Sequence, residues 1–368
     1  MDDSLIDDDT LSIARKSVLP GEGFFYPNSF DEERADREAA AALAGAGTVV
    51  VADPDADGLG CVALIEVAFG GDGGDGDDVA LIGAGPYDLP EALGRVGAYA
   101  DPGVQVFVCD LCPDDESELV ALRRLAESGE VRWFDHHQWN DDVARSVRAA
   151  GVDLVVGDSE EECSTDVALR SLDFDFDERY RDLAAVTRDH DLWLREDPRS
   201  DDLADFAYWA DAAEYVETVT EHGPDLPDEV EEYLAERRIE KDALIERAID
   251  RAEVTEIGPW TVGVTYGRCS QNEVAQTLRE GGTDASVIVK PAGSASIRGS
   301  EAFERCHEVA RQVNGGGHPK AAGCKPAIYD DMLDYAHHWS TQGAVAKRVI
   351  LAAFERLVEI EREADETR

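Results

Sequence analysis

Positive charge is what this chain lacks most. Lys and Arg number 34 against 81 Asp and Glu in 368 residues, a net charge of −47. Such a balance makes a poor general surface for polyanions. The acids run along the whole chain rather than gathering in a tail, the distribution expected of halophilic adaptation, where carboxylates keep a surface hydrated in concentrated salt. Multimolar salt screens charge beyond about 3 Å, so bound cations and a few Arg and Lys could then dominate, and net charge does not decide the substrate. Cysteines are few: seven, at positions 61, 109, 112, 163, 269, 306 and 324. Scattered and odd in number, they exclude a disulfide framework and imply a reducing, cytoplasmic setting. Cys109 and Cys112 form a CxxC with no second pair and read as small buried thiols rather than a zinc site. No apolar run approaches the roughly 18 residues of a membrane span. The first residues, MDDSLIDDDT, lack the basic-then-apolar order of a signal peptide.

What is present is enough apolar content, 43%, to bury two ordinary cores. Val49 to Val51 reads as a buried strand that stops at three alternating carboxylates, Asp53, Asp55 and Asp57, followed by Gly58 and an apolar helix from Leu59 to Phe69. Val79–Ile82 and Val104–Cys109 read as further strands, the latter ending on Asp110. A helix over 116–128 leads to strand Val131–Phe134, which ends on Asp135, His136 and His137. Helix Asp141–Ala150, strand Val152–Val156 and helices over 166–172 and 177–189 follow, and TRDHDLW at 187–193 brings Asp189 and Asp191 to one more loop. The repeat of strand, acidic tip and helix predicts an α/β fold with a mostly parallel, doubly wound sheet, whose ligands lie at the carboxyl ends of the strands.

The expected division places this domain at 1–195, with an irregular arm at 1–30, and a helical linker at 196–255, including a charged helix from Glu229 to Val254. A smaller α+β domain is expected at 256–340, with strands Trp260–Tyr266, Ala285–Lys290 and Ser294–Arg298 and helices over 272–280 and 301–314. A long amphipathic helix closes the chain at 341–368. GGDGGDGDD, ending at Asp78, has glycines but no Lys or Ser/Thr to make a phosphate loop and reads as a solvated connection. His337 and His338 fall outside any motif and read as surface residues.

Asp55 with Asp57, Asp110, Asp135 with His136 and His137, and Asp189 thus stand at four strand or helix ends. Together they supply ligands for two metal ions, with a carboxylate able to bridge, and two divalent ions about 3.5–4 Å apart suit phosphoester hydrolysis. Oxygen ligands suit Mg²⁺ or Mn²⁺, and imidazole tilts the choice toward Mn²⁺. With the triplet Asp135-His136-His137 the chain resembles the DHH phosphoesterases. The order ADPDADG, VFVCD, DHH, a fourth Asp and the C-terminal GGGHPKAAG (315–323) is most similar to the RecJ-type branch with its DHH-associated domain. The resemblance covers roughly residues 48 to 325.

The resemblance implies that Asp55 and Asp57 are ligands of different metals, that Asp110 bridges, and that His136 and Asp189 bind one of the ions, with Asp191 the alternative to Asp189. It implies that Asp135 orients its neighbours or the nucleophilic water and that His137 contacts the phosphate or acts as an acid. Many members carry a His four residues before the first ligand aspartate; here that position is Val51, and Asp53 can partly compensate. In GGGHPKAAG, Gly315, Gly316 and Gly317 allow close backbone approach to a phosphate, His318 and Lys320 can donate to it, and a following helix start would add to the attraction. Arg298 in SASIRGS would be a further contact. Trp133, Trp139 and Trp193 lie near the ligands in sequence and could stack on bases or be buried in the core.

The expected activity is hydrolysis of single-stranded DNA or RNA, or short oligonucleotides, from one end, in a cleft between the domains. Hydrolysis of small nucleotides such as cyclic dinucleotides or phosphoadenosine phosphates is the second reading. A non-catalytic partner of replication or repair proteins is the third.

Overall fold

The computed structural model describes residues 28–70, 79–85, 88–113, 115–290, 293–326 and 344–366. Residues 1–27 of the expected N-terminal arm, most of the Gly/Asp loop before Val79, and His337 with His338 lie outside these residues; the end of the arm, from Asn28, is helical rather than irregular. The chain divides into two compact units, one spanning Glu32–Arg237 and the other taking up the chain from Arg238.

In the first unit, helix α1 (Asn28–Leu43) leads to strand β1 (Thr48–Ala52), followed by α2 (Ala56–Phe69), β2 (Val79–Gly83), α3 (Leu89–Tyr99), β3 (Gln105–Cys109), α4 (Val120–Ser128), β4 (Val131–Asp135), α5 (Asp141–Ala149) and β5 (Asp153–Val156). The five strands lie in the order β2-β1-β3-β4-β5, every pair parallel. All five residues of β1 are buried because both faces of the sheet are covered. Val49 and Val51 enter a core shared with α1, α3, α4 and α5. Val50 and Ala52 enter the opposite core, shared with α2 and the helices that follow β5. The α/β reading holds, and the strand order adds a consequence. From β1 the chain steps out to β2 and returns to β3 on the other side of β1, so the carboxyl ends of β1 and β3 flank a topological switch point, where ligands of such sheets bind.

After β5 come α6 (Ser164–Ser171), α7 (Glu178–Asp191), α8 (Arg199–Trp209) and α9 (Ala212–His222), then the long α10 (Asp228–Asp250). The expected linker at 196–255 is corrected here. Leu203 and Phe206 of α8, Tyr215, Val216 and Val219 of α9, and Leu234 of α10 are buried in the α2 core, so the first unit continues well past residue 195. Dense Asp and Glu hide the apolar spacing of these helices, and the packing is visible only once the sheet is in place.

The second unit is α+β. Its strands β6 (Glu253–Ile257), β7 (Trp260–Tyr266), β8 (Ala285–Val289), β9 (Ala295–Gly299), β10 (Gly315–Gly317) and β11 (Ala321–Cys324) form one sheet in the order β10-β11-β9-β8-β7-β6. Only β7 and β8 pair in parallel. One face carries Val287, Ile297 and Phe303 against α12 (Cys306–Arg311) and α13 (Ala344–Glu366), with Phe354 buried between. The other carries Ile288 against α11 (Gln271–Glu280) and the end of α10. Two expectations change: β6 takes residues assigned to the end of the long helix, and the helix expected over 301–314 is regular only in the six residues of α12.

Candidate metal and active site

The first acidic motif is shaped by the helix that follows it. Asp55 is the N-cap of α2, its Oδ1 accepting from the N–H groups of Asp57 and Gly58 at 3.0 Å each. Asp57, in the first turn, is 2% exposed. Its Oδ2 accepts from the Ser164 N–H at 2.7 Å, and its Oδ1 from the Thr165 N–H and Oγ1 at 2.8 Å each. The N-terminus of α6 therefore points its free amides at a buried carboxylate, the favourable end of the helix for an anion. Close approach makes this possible: a Cβ on Gly60 would lie 2.5 Å from Thr165 Oγ1.

Asp110 stands one residue beyond β3 with φ of 57°, a left-handed conformation that Asp tolerates better than most residues. Its amide donates to the Phe134 carbonyl at 3.0 Å, and its Oδ1 accepts from Ser164 Oγ at 2.9 Å. Asp135, the last residue of β4, is fully buried, its Oδ1 2.7 Å from His137 Nδ1 and its Oδ2 accepting from Trp139 Nε1 at 2.5 Å. His136 turns the other way. Its Nε2 lies 3.2 Å from Asp191 Oδ2, 3.8 Å from Asp110 Oδ1 and 3.9 Å from Asp57 Oδ2.

Among the described residues, two overlapping groups therefore bring ligand atoms within 4.8 Å of one another: Asp57, His136 and Asp191, and Asp110, His136 and His137. Asp53, Asp55, Asp135 and Asp189 belong to neither. Asp135 serves His137 and Trp139, and Asp55 caps α2. Asp189 is turned to the loop after α7, where its Oδ1 accepts from the Glu196 N–H at 2.8 Å and its carbonyl from the Leu194 N–H at 2.8 Å. This holds a turn in which both Trp193 and Arg195 have left-handed backbones. Of the two aspartates weighed for the fourth motif, Asp191 is the one at the cluster, and the expectation placed on Asp189 is revised accordingly.

Burial, reinforced by the charges of Asp57 and Asp55, pushes the Asp110 and Asp191 carboxyls well above the usual range. Burial would raise Asp135 too, but the charge and hydrogen bond of His137 outweigh it and hold this carboxyl low. Burial disfavours a charged His137 ring; Asp135 overcomes this and lifts it to about 9. The residues present fit a divalent cation. Carboxylates and imidazole are donors that Mn²⁺ accepts, and the mutual repulsion of the buried acids is what a cation would relieve.

Sequence reasoning did not reach Ser164 or Thr165 as parts of the site, and it offered Trp139 as a base-stacking or core residue rather than as the donor to Asp135. The Ser-Thr pair opening a helix is a readable N-terminal signal, but its target, Asp57, lies 107 residues away. Trp133 is fully buried, its Nε1 donating to the Leu111 carbonyl at 2.9 Å, so it is a core residue and cannot stack on a base. Trp193 lies half-buried beneath the guanidinium of Arg195, 3.7 Å from ring centroid to Cζ.

The glycine motif belongs to the second unit and differs from expectation. Gly315–Gly317 form β10, paired antiparallel with β11, so a strand and not a helix start follows His318 and Lys320. A Cβ on Gly315 would collide with the Gly323 carbonyl oxygen, so close strand pairing alone accounts for a glycine there. Lys320 is ion-paired with Glu301 and Glu304. The His318 N–H donates to the Ala321 carbonyl at 2.7 Å. Arg298, on β9 beside β11, donates from Nε to Asn272 Oδ1 at 2.9 Å.

No protein-family model matches the chain, nor does any curated protein. Solved structures do. An exonuclease RecJ bound to manganese is 18% identical, with 90% of this chain and 96% of that one covered and a TM-score of 0.53. The DHH domain of a member of a family of ribosomal proteins is 14% identical over 92% and 94% of the two chains, TM-score 0.57. RecJ from Thermus thermophilus in complex with Mn²⁺ is 19% identical over 86% of this chain and 55% of its own, TM-score 0.50. At these identities the likeness establishes the fold.

Proposed function

We propose that this chain, which shares its fold with RecJ and DHH-domain proteins, is a metal-dependent phosphodiesterase that hydrolyses single-stranded nucleic acid or short oligonucleotides from one end. The observation that carries the reading is the meeting of Asp57, Asp110, His136 and Asp191 at the β1/β3 switch point. The name of one neighbour, an exonuclease bound to manganese, supports it.

Asp57, Asp110, His136 and Asp191 would hold two divalent cations, Mn²⁺ or Mg²⁺, with Asp55 at the edge and Asp110, which feels the charge of every acid around it, the carboxylate suited to be shared. Such cations supply Lewis acidity toward a phosphoryl oxygen and lower the pKa of water. The protein does the rest. Helix α6 fixes Asp57, Ser164 fixes Asp110, and Asp135 holds His137 by Nδ1, which orients its ring toward a phosphate oxygen or a departing alkoxide. In the second unit Arg298 and His318 are the proposed backbone contacts; Lys320 would have to leave its glutamates to join them.

The test is hydrolysis of end-labelled DNA and RNA, from dinucleotides to long strands, in multimolar KCl with Mn²⁺. Stepwise shortening of long strands, abolished by Asp135→Ala and His136→Ala, is the expected result. Cleavage confined to dinucleotides would move the assignment to small-nucleotide hydrolysis. No cleavage by folded, metal-loaded protein would leave a non-catalytic role in a replication or repair assembly.

A further inference from the structure

Beside the carboxylates the first unit has a cavity of about 180 Å³ that no step above uses. Asp55, Asp57 and Asp191 form the wall it shares with the metal cluster, and Pro54, Thr187 and Tyr208 form others. Its size is below the roughly 300–1,000 Å³ of sites that enclose drug-sized ligands, so it can take one ring system but not a chain of nucleotides.

Two observations say what that ring system is. Tyr208 is 71% exposed although it neighbours Phe206 and Ala207, which are buried in the core. Its ring is braced edge-to-face by Trp209, with centroids 4.9 Å apart and planes at 89°. An exposed, braced aromatic at the rim of a phosphoester site is a stacking platform. Thr187, by contrast, is 1% exposed, and its Oγ1 has no hydrogen-bond partner. A buried hydroxyl in a cavity wall is costly unless something bonds to it. His190, on the same wall, is held by Asp201 at 3.2 Å and by edge contact with Trp193.

The geometry points to this cavity as the subsite for a single nucleobase, that of the terminal nucleotide beside the scissile phosphate. The base stacks on Tyr208, and the nucleoside bonds to Thr187 Oγ1. The inference rests on the phosphodiesterase reading and adds to it a place for one base next to the carboxylates. Stacking is available to every base, so the subsite is tolerant of sequence.

The experiment compares a natural tetranucleotide with two versions that carry an abasic residue at the 5′ or the 3′ end, in Mn²⁺, for wild type, Tyr208→Ala, Tyr208→Phe and Thr187→Val. Wild-type kcat/KM is expected to fall about tenfold or more on one of the abasic substrates. Tyr208→Ala should bring the natural substrate down to that level, Tyr208→Phe should retain the preference, and Thr187→Val should raise KM a few-fold. Equal treatment of all three substrates by wild type overturns the subsite while leaving the phosphodiesterase intact, as does an equal fall for Tyr208→Ala on natural and abasic forms. If wild type cuts none of them, the phosphodiesterase reading fails. Calorimetric binding of adenosine monophosphate then decides the subsite: about tenfold weaker binding to Tyr208→Ala supports it, and equal binding overturns it.

Discussion

At the scale of the residue, the site turns on which acid faces inward. Asp189 and Asp191 are two positions apart near the end of α7, roughly 200° around the helix, so only one can reach His136. Asp191→Asn is expected to lower metal-dependent hydrolysis at least about a hundredfold and to remove the rise in melting temperature on adding Mn²⁺. Asp189→Asn should keep that rise and lose stability by roughly 1–3 kcal/mol, because a buried acceptor of the Glu196 amide is weakened. Paired thermal melts with and without Mn²⁺ check both; a normal Mn²⁺ response in Asp191→Asn would sink the assignment. The sequence made the pair visible but not the choice, since a motif fixes residue type and spacing while the final turn of a helix fixes direction. Asp57, Asp110, Asp135 and His136 were legible because each follows a strand whose apolar run announces itself. Ser164 and Thr165 were not, because what they hold is brought to them by folding.

At the scale of the element, α2 is the helix on which the site is assembled, and it is pressed on two sides. Against α6, Gly60→Ala would force a methyl onto Thr165 Oγ1, displacing the groups that hold Asp57. We expect a loss of about 1–3 kcal/mol together with weakened Mn²⁺ binding, measured by denaturant unfolding and by calorimetry. Against α9, Glu66 meets Glu217; burial first and that neighbouring charge second raise its pKa. Because the folded value lies above the unfolded one, the stabilisation is complete below the unfolded pKa and is lost as pH rises through the folded pKa. Glu66→Gln should therefore match wild type near about pH 4 and exceed it near about pH 7. The group is half open to solvent, so the gain is small, of order 0.5 kcal/mol or about 1–2 °C. The same contact shows why α8 and α9 escaped sequence reading. Their acids dominate the text of the chain, and Leu203, Phe206 and Tyr215 reveal themselves as core only beside α2. The hairpin at Gly315 escaped for a related reason: strand pairing at close range and phosphate approach both call for glycine.

At the scale of the whole molecule, a net charge of −47 acts as a uniform repulsion within the compact state. Raising KCl from about 0.1 M to about 1 M shortens the screening length from about 10 Å to about 3 Å. The melting temperature should rise by several degrees over that range, and a flat or falling curve would argue against the halophilic reading. Mn²⁺ should give a further rise at every salt concentration, because the buried acids are beyond the reach of screening. Among the described residues no helix is long and apolar enough to cross a membrane.

The left-handed backbone of Asp110 has a practical side. Most replacements there would fight the main chain, whereas asparagine is at home in that conformation and differs from aspartate by little more than its charge. Asp110→Asn should thus silence the centre while leaving its scaffold undisturbed, giving a decoy that grips its natural target without destroying it and so could be used to fish that target from a cell extract.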